Sequence, residues 1–194
     1  AQARDPENRL LWRMNAGRME AEVVRDSLLY VAGKLDLTMG GQELENTDAL
    51  TTYRRSLYYA VYPEQGGRSQ LGELFDAPDP LDCYRRTSSL IPQQALALTN
   101  SDLVHSVSVA ATSRILSELS SALPDLPPAG SSATESPEAV DRFIQQAFRT
   151  LLSRAATERE LVVCREFLQQ DLPDVARQSL VRALLNHHDF ITVR

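Results

Sequence analysis

Apolar residues recur with a helical period over most of this 194-residue chain, and the clearest repeat lies towards its end. Ser136-Pro137-Glu138 reads as a helix start. The stripe that follows is Val140, Phe143, Ile144, Ala147, Phe148, Leu151 and Leu152, one face of an amphipathic helix. Thr157-x-x-Glu160 is a capping box for the next helix, which carries Leu161, Cys164 and Leu168. A third helix over roughly Asp174 to His187 turns Leu180, Leu184 and Leu185 inward, and Phe190-Ile191-Thr192-Val193 reads as a short apolar strand. Three short amphipathic helices with short joins imply an antiparallel bundle.

The first half is less regular. Asp5-Pro6-Glu7 carries helix-start chemistry, with Asp5 as cap and Pro6 at the first helical position, and predicts a helix that turns Leu10, Leu11 and Met14 inward. A second helix is expected from about Arg18 to Ala32, with Met19, Val23, Val24, Leu28 and Val31 on its apolar positions. Its polar residues Arg18, Glu22, Arg25 and Asp26 read as a solvated or partly paired ladder. Lys34 to Thr52 has no clear period and is expected to be loop. Tyr53 to Tyr62 alternates like a strand, and Cys83 to Leu90 is a second, shorter strand candidate. Between them come a helical turn at Gly72 to Phe75 and an acidic loop at Asp76 to Asp82, broken by Pro78 and Pro80. Pro92 opens a helix through Leu98. After a break at Asn100-Ser101 the helix resumes to about Ala122, with Val104, Val107, Ala111, Ile115 and Leu119 on one stripe.

Residues 123–136 hold Pro124, Pro127, Pro128 and Gly130 and little to bury, which marks a flexible linker. The organisation expected is therefore a helical core with a short β element over 1–122, the linker, and a helical unit over 137–194 packed on that core as one domain overall. The fold class is mainly α with a small β element and a C-terminal three-helix unit. A net charge of −6 argues against nucleic acid as a partner, since phosphate binding needs a basic surface. No apolar run reaches the roughly 18 residues a membrane helix needs, so membrane insertion is not expected, and Ala1 to Glu7 is unlike a signal peptide.

Candidate chemistry centres on arginine. Lys34 is the only lysine, and Tyr53-Arg54-Arg55-Ser56 is echoed by Tyr84-Arg85-Arg86-Thr87 across a segment holding Glu73, Asp76, Asp79 and Asp82. Paired guanidinium groups suit planar, bidentate recognition of carboxylate or sulfate. Arg54, Arg55, Arg85 and Arg86, with Asp76 and Tyr84, are thus the candidate ligand-binding set. The competing assignment pairs those arginines with the intervening acids, fastening the loop to the strand. Asp76 or Asp79 with Glu20 or Glu22 is a weaker candidate for an acid–base pair in glycoside hydrolysis, since no spacing brings them together. His187 and His188 are adjacent and diverge on a helix, so they read as a helix-end cap rather than a metal pair, and His105 stands alone. Cys83 and Cys164 form no C-x-x-C pair, and whether they bridge is open. No metal site is expected.

Several stretches taken together resemble a known family. They include Asp5-Pro6-Glu7-Asn8-Arg9-Leu10-Leu11-Trp12-Arg13-Met14-Asn15, Arg18-Met19-Glu20-Ala21-Glu22, Met39-Gly40-Gly41, Arg54-Arg55-Ser56-Leu57-Tyr58, Leu74-Phe75-Asp76, Cys83-Tyr84-Arg85-Arg86 and Pro92-Gln93-Gln94-Ala95-Leu96. The chain resembles the planctomycete-type C-terminal domain of unknown function, found downstream of a planctomycete cytochrome C domain and a second uncharacterised domain. Ala16-Gly17 and Ser153-Arg154-Ala155-Ala156 depart from that family's pattern. The resemblance implies a piece of a larger exported protein, periplasmic or extracellular, with the upstream domains of the same polypeptide as partners. Any haem would belong to an upstream domain, so no cofactor is expected here. It supplies no catalytic residues. Three functions stay open: a non-enzymatic accessory or interaction module binding anionic glycan or a partner domain; a polysaccharide hydrolase or lyase using the arginine-rich centre; and a docking partner for an upstream c-type cytochrome domain.

Overall fold

The computed structural model describes residues 3–65, 67–82, 88–122 and 136–193, and among these it is mainly helical with a two-stranded sheet. The elements are β1 (Gly17–Arg18), α1 (Ala21–Val31), α2 (Gln70–Leu74), α3 (Pro92–Asn100), α4 (Asp102–Ala122), α5 (Pro137–Leu152), α6 (Glu158–Leu168), α7 (Pro173–Leu185) and β2 (Thr192–Val193). Helix α4 is the centre. Its stripe of Val104, Val107, Ala111 and Ile115 is wholly buried, and α1, α3, α5 and α7 pack around it. The α5 stripe from Phe143 to Leu152 and the α7 residues Leu180, Val181, Leu184 and Leu185 complete one continuous apolar core with Val24, Leu28 and Leu29 of α1.

Local chemistry sets the boundaries of these helices. The α1 helix ends in a Schellman arrangement: Gly33, at φ 67°, donates its N–H to the Tyr30 carbonyl, and Lys34 donates to Leu29. The Ser136 hydroxyl accepts the Ala139 N–H ahead of α5, and Thr157 and Glu160 form a reciprocal capping box at α6. Strands β1 and β2 pair antiparallel, with Gly17 opposite Val193 and Arg18 opposite Thr192. This pairs the segment just ahead of α1 with the last described residues.

The structure corrects four expectations. Residues 5–15 form turns, not a helix, and Leu10, Leu11 and Met14 face solvent. The Asp5 carboxylate takes the N–H groups of Arg9 and Leu10, and the Asn8 side chain closes on Arg13, so side chains satisfy the backbone that a helix would have paired. Tyr53–Tyr62 is not a strand. It holds a 3₁₀ turn at Ser56–Tyr58 and two isolated bridges, Asp36 with Arg54 and Leu44 with Tyr59. Its backbone is claimed from α1: Asp26 accepts the Ser56 N–H at 2.8 Å, and Arg25 donates to the Arg54 carbonyl at 2.9 Å. The second strand candidate falls largely on residues 83–87, outside the described residues, and 88–90 are not in a strand. Helix α1 starts at Ala21, with Arg18 in β1 instead, and Arg25 is not solvated but 4 % exposed. The linker lies outside the described residues apart from Ser136.

Candidate functional site

Two guanidinium groups, Arg25 buried and Arg18 partly buried, organise the region that the sequence marks as arginine-rich. Arg25 belongs to the core-facing side of α1, between Ala21 at i−4 and Leu28 and Leu29 at i+3 and i+4. Buried there, it donates through Nη2 to the carbonyls of Ala49 and Thr52, at 2.8 and 2.9 Å, and to the Tyr59 hydroxyl at 3.1 Å. Nη1 reaches the Arg54 carbonyl, and the group lies 4.8 Å from the Tyr59 ring centre. One side chain thereby pins the 46–59 stretch, which holds two short 3₁₀ helices at Asn46–Leu50 and Ser56–Tyr58, against α1. Asp26 stands at 3.8 Å as its carboxylate neighbour.

Arg18 performs the same task one step away. It donates through Nη2 to Asp76 at 2.5 Å, and through Nη1 to Gln94 Oε1 at 2.8 Å and to the Ser89 carbonyl. Asp76, at φ 60° just past α2, also accepts the Ser89 N–H and hydroxyl at 2.7 and 2.8 Å. Gln94, 3 % exposed, donates to the Leu74 carbonyl, so β1, the end of α2 and the start of α3 meet on this network. Burial alone would raise the Asp76 pKa, but the two Ser89 bonds and the Arg18 guanidinium together hold it below the usual carboxylate range.

Of the sequence-predicted site residues, Arg54 donates to the carbonyls of Thr38 and Gly40, both at 2.7 Å, and stacks 4.1 Å from the centre of the Tyr58 ring. Arg55 is half exposed, with Asp26 at 3.8 Å. Asp76 is bound as just described. Tyr84, Arg85 and Arg86 lie outside the described residues, as does Cys83. The described members each have their own partners: Arg54 the carbonyls of Thr38 and Gly40, Arg55 the Asp26 carboxylate, and Asp76 the Arg18 guanidinium. Sequence reasoning missed Arg18, Arg25 and Gln94 as organising residues. For Arg25 a signal existed, since it interrupts the apolar stripe Ala21-Leu28-Leu29 on its own face.

A cleft of about 330 Å³ opens beside this hub, lined by Glu20, Glu22, Leu57, Val61, Arg68 and Pro78 among others. Among the described carboxylates with a shifted titration, Asp36, Asp76, Asp141 and Glu160, each moves down, stabilised as an anion by hydrogen bonds or arginine. A general acid held protonated near neutrality requires the opposite shift. His105 Nδ1 stands 2.7 Å from the Arg182 guanidinium, in a groove between α4 and α7. His187 Nδ1 accepts the Asp189 N–H at 3.0 Å beyond the end of α7. Among the described residues no three metal-ligating side chains gather, and no helix is long and apolar enough to cross a membrane. Cys164 is buried on α6, and burial raises its thiol pKa, with Glu160 adding to the effect.

The fold and the arginine hubs define a class: a helical domain in which buried guanidinium groups, rather than a sheet, hold long irregular segments onto a helix bundle. The chain belongs to the PSD1 family, described as a protein of unknown function (DUF1553), whose model matches residues 1–168. Comparison with curated proteins and with solved structures finds no match.

Proposed function

We propose that this chain is a non-enzymatic interaction module, the C-terminal part of an exported multidomain protein, that engages a partner domain rather than an anionic glycan. The observation that carries this reading is the direction of the guanidinium donors. Arg18, Arg25 and Arg54 point them at this chain's own carbonyls and at Asp76 and Gln94, so these groups act as ties within the fold. A polysaccharide clamp would instead present them to solvent. The exported setting, the planctomycete source, an upstream haem-bearing domain as partner and a periplasmic or extracellular location belong to the same proposal and rest on the resemblance of the motifs.

The test is a thermal-shift titration of the chain with neutral, uronic and sulfated polysaccharides, with Arg55→Ala and Arg85→Ala as controls. A ligand binding only the folded state raises Tm, by about 2.7 kcal/mol of added stability at a hundred times its Kd. The expected result is no shift with any of the three. A salt-sensitive rise with one anionic glycan, abolished in either arginine variant, would overturn the reading and make the arginine centre a glycan site.

A further inference from the structure

The charges around the cleft beside α1 are not equally occupied. Glu20 and Glu22 on its lining each have a partner of their own, and Arg25 spends its Nη2 donors on two carbonyls and the Tyr59 hydroxyl. Arg68 differs. It lines the same cleft, half-buried, and among the described residues it makes neither a hydrogen bond nor an ion pair. An arginine at a cleft without a carboxylate keeps a planar fork of N–H donors for something else. The first turn of α1 adds to this. Ala21 and Glu22 line the cleft, and Glu20, the N-cap residue, makes no side-chain bond to the N–H groups that follow it. Those groups carry the positive end of the helix dipole. Guanidinium and helix end thus border one volume of about 330 Å³, within the size range of small-molecule sites.

The rest of the lining sets the body of the ligand. Leu57 and Val61, 55 and 52 % exposed, share the walls with Ala49, Ala77 and Pro78. Apolar surface left uncovered beside an anion-seeking group selects a molecule with one charge and one apolar body. A planar carboxylate meets the guanidinium fork in two parallel bonds. A dianion would bring its second charge against the carboxylates of Glu20 and Glu22 on the same lining. Uronic sugars carry their carboxylate on a hydrated ring, which those walls do not match.

We propose that this cleft binds a monocarboxylate with an apolar body, its carboxylate held by Arg68 and the N-terminal turn of α1 and its apolar part laid against Leu57 and Val61. The site is independent of the partner-domain reading above, since a small molecule fills it in this chain alone.

The probe is phenylacetate, with its neutral isostere phenylacetamide and the bare anion acetate beside it. A titration followed by proton–nitrogen correlation NMR reads the backbone amides of Leu57, Arg68, Ser69 and Gly72. A ligand of roughly ten non-hydrogen atoms is expected to bind with a Kd of about 1 mM. Phenylacetate should move those amides to saturation, about tenfold more tightly than either control, and more weakly as salt is added. Arg68→Gln should erase the preference for phenylacetate over the amide. Leu57→Asp, which sets a third carboxylate on the wall, should weaken phenylacetate binding, and both variants should keep a dispersed spectrum. Shifts that stay linear to about 20 mM, well past the expected Kd, would overturn the proposal. So would phenylacetamide binding as tightly as phenylacetate, or Arg68→Gln leaving the preference intact. Shifts centred instead on the α4–α7 groove around His105 and Arg182 would overturn it by placing the anion there.

Discussion

Replacing Arg25 by methionine tests whether one guanidinium holds the irregular half of the protein. Methionine keeps most of the side-chain volume, so the change removes hydrogen bonds rather than opening a cavity. Two of the bonds lost are fully buried, to the Ala49 carbonyl and the Tyr59 hydroxyl, and those to Arg54 and Thr52 are partly so. Hydrogen bonds to a charged group each contribute about 1.5–3 kcal/mol when made, and carbonyls left buried without a donor add a penalty. Removing the charge also lifts its own desolvation cost, so the net loss expected is about 3–5 kcal/mol, as for breaking a buried ion pair from one side. Against a total stability of about 5–15 kcal/mol, the variant should melt early, or lose 46–59 in a local transition that precedes global unfolding. Urea unfolding gives the first number, and native-state hydrogen exchange at the Thr52 and Tyr59 amides separates the two cases. A loss under about 1 kcal/mol, with exchange at 46–59 unchanged, would mean that the apolar contacts of Tyr59 and Ala49 hold the segment by themselves.

Glu160 titrates at about 2 rather than 4.5, because Arg154 and the Thr157 N–H and hydroxyl favour its anion against the opposing effect of burial. A depressed carboxylate pKa stabilises the fold above its unfolded value, so this contribution is complete above about pH 4.5 and lost as pH falls towards 2. Glu160→Gln should lower stability by about 1 kcal/mol at pH 7, the scale of a lost cap, and flatten that part of the acid limb in a pH series of unfolding curves. Leu11→Gly relieves the left-handed φ of 52° at an exposed site, and should leave stability unchanged or raise it by up to about 1 kcal/mol in the same assay. Truncation after Leu168 removes Leu180, Val181, Leu184 and Leu185, each burying side chain worth about 1.5–3 kcal/mol. It should abolish cooperative melting by circular dichroism, even though it leaves the whole family-matched span intact.

What could be read in the sequence divides according to which force fixes each segment. In α4 to α7 burial of a periodic stripe decides the conformation, and the stripes and caps are written locally: Val104-Val107-Ala111-Ile115, Ser136, and Thr157 with Glu160. The described residues of 34–82 and 88–91 obey a different rule. There side chains distant in sequence satisfy the backbone, Arg25 reaching Ala49 and Thr52, and Arg18 joining Asp76 to Ser89. A residue-by-residue pattern cannot anticipate which carbonyl a guanidinium will claim. The tyrosines of 53–62 imitate a strand for this reason: alternation records that both faces touch something, not that a neighbouring strand pairs the backbone. The same logic explains the candidate site. Arg54 and Asp76 stood out as chemistry because they are charged and clustered in sequence, yet each is answered by a partner outside that cluster, Arg54 by Thr38 and Gly40, Asp76 by Arg18. Arg25 interrupts an apolar stripe between Ala21 and Leu28, and a buried arginine must find acceptors. An arginine on a core-facing helical position beside a long stretch without period is therefore the sequence sign of a tied loop, and it separates structural guanidinium groups from those left to meet a ligand.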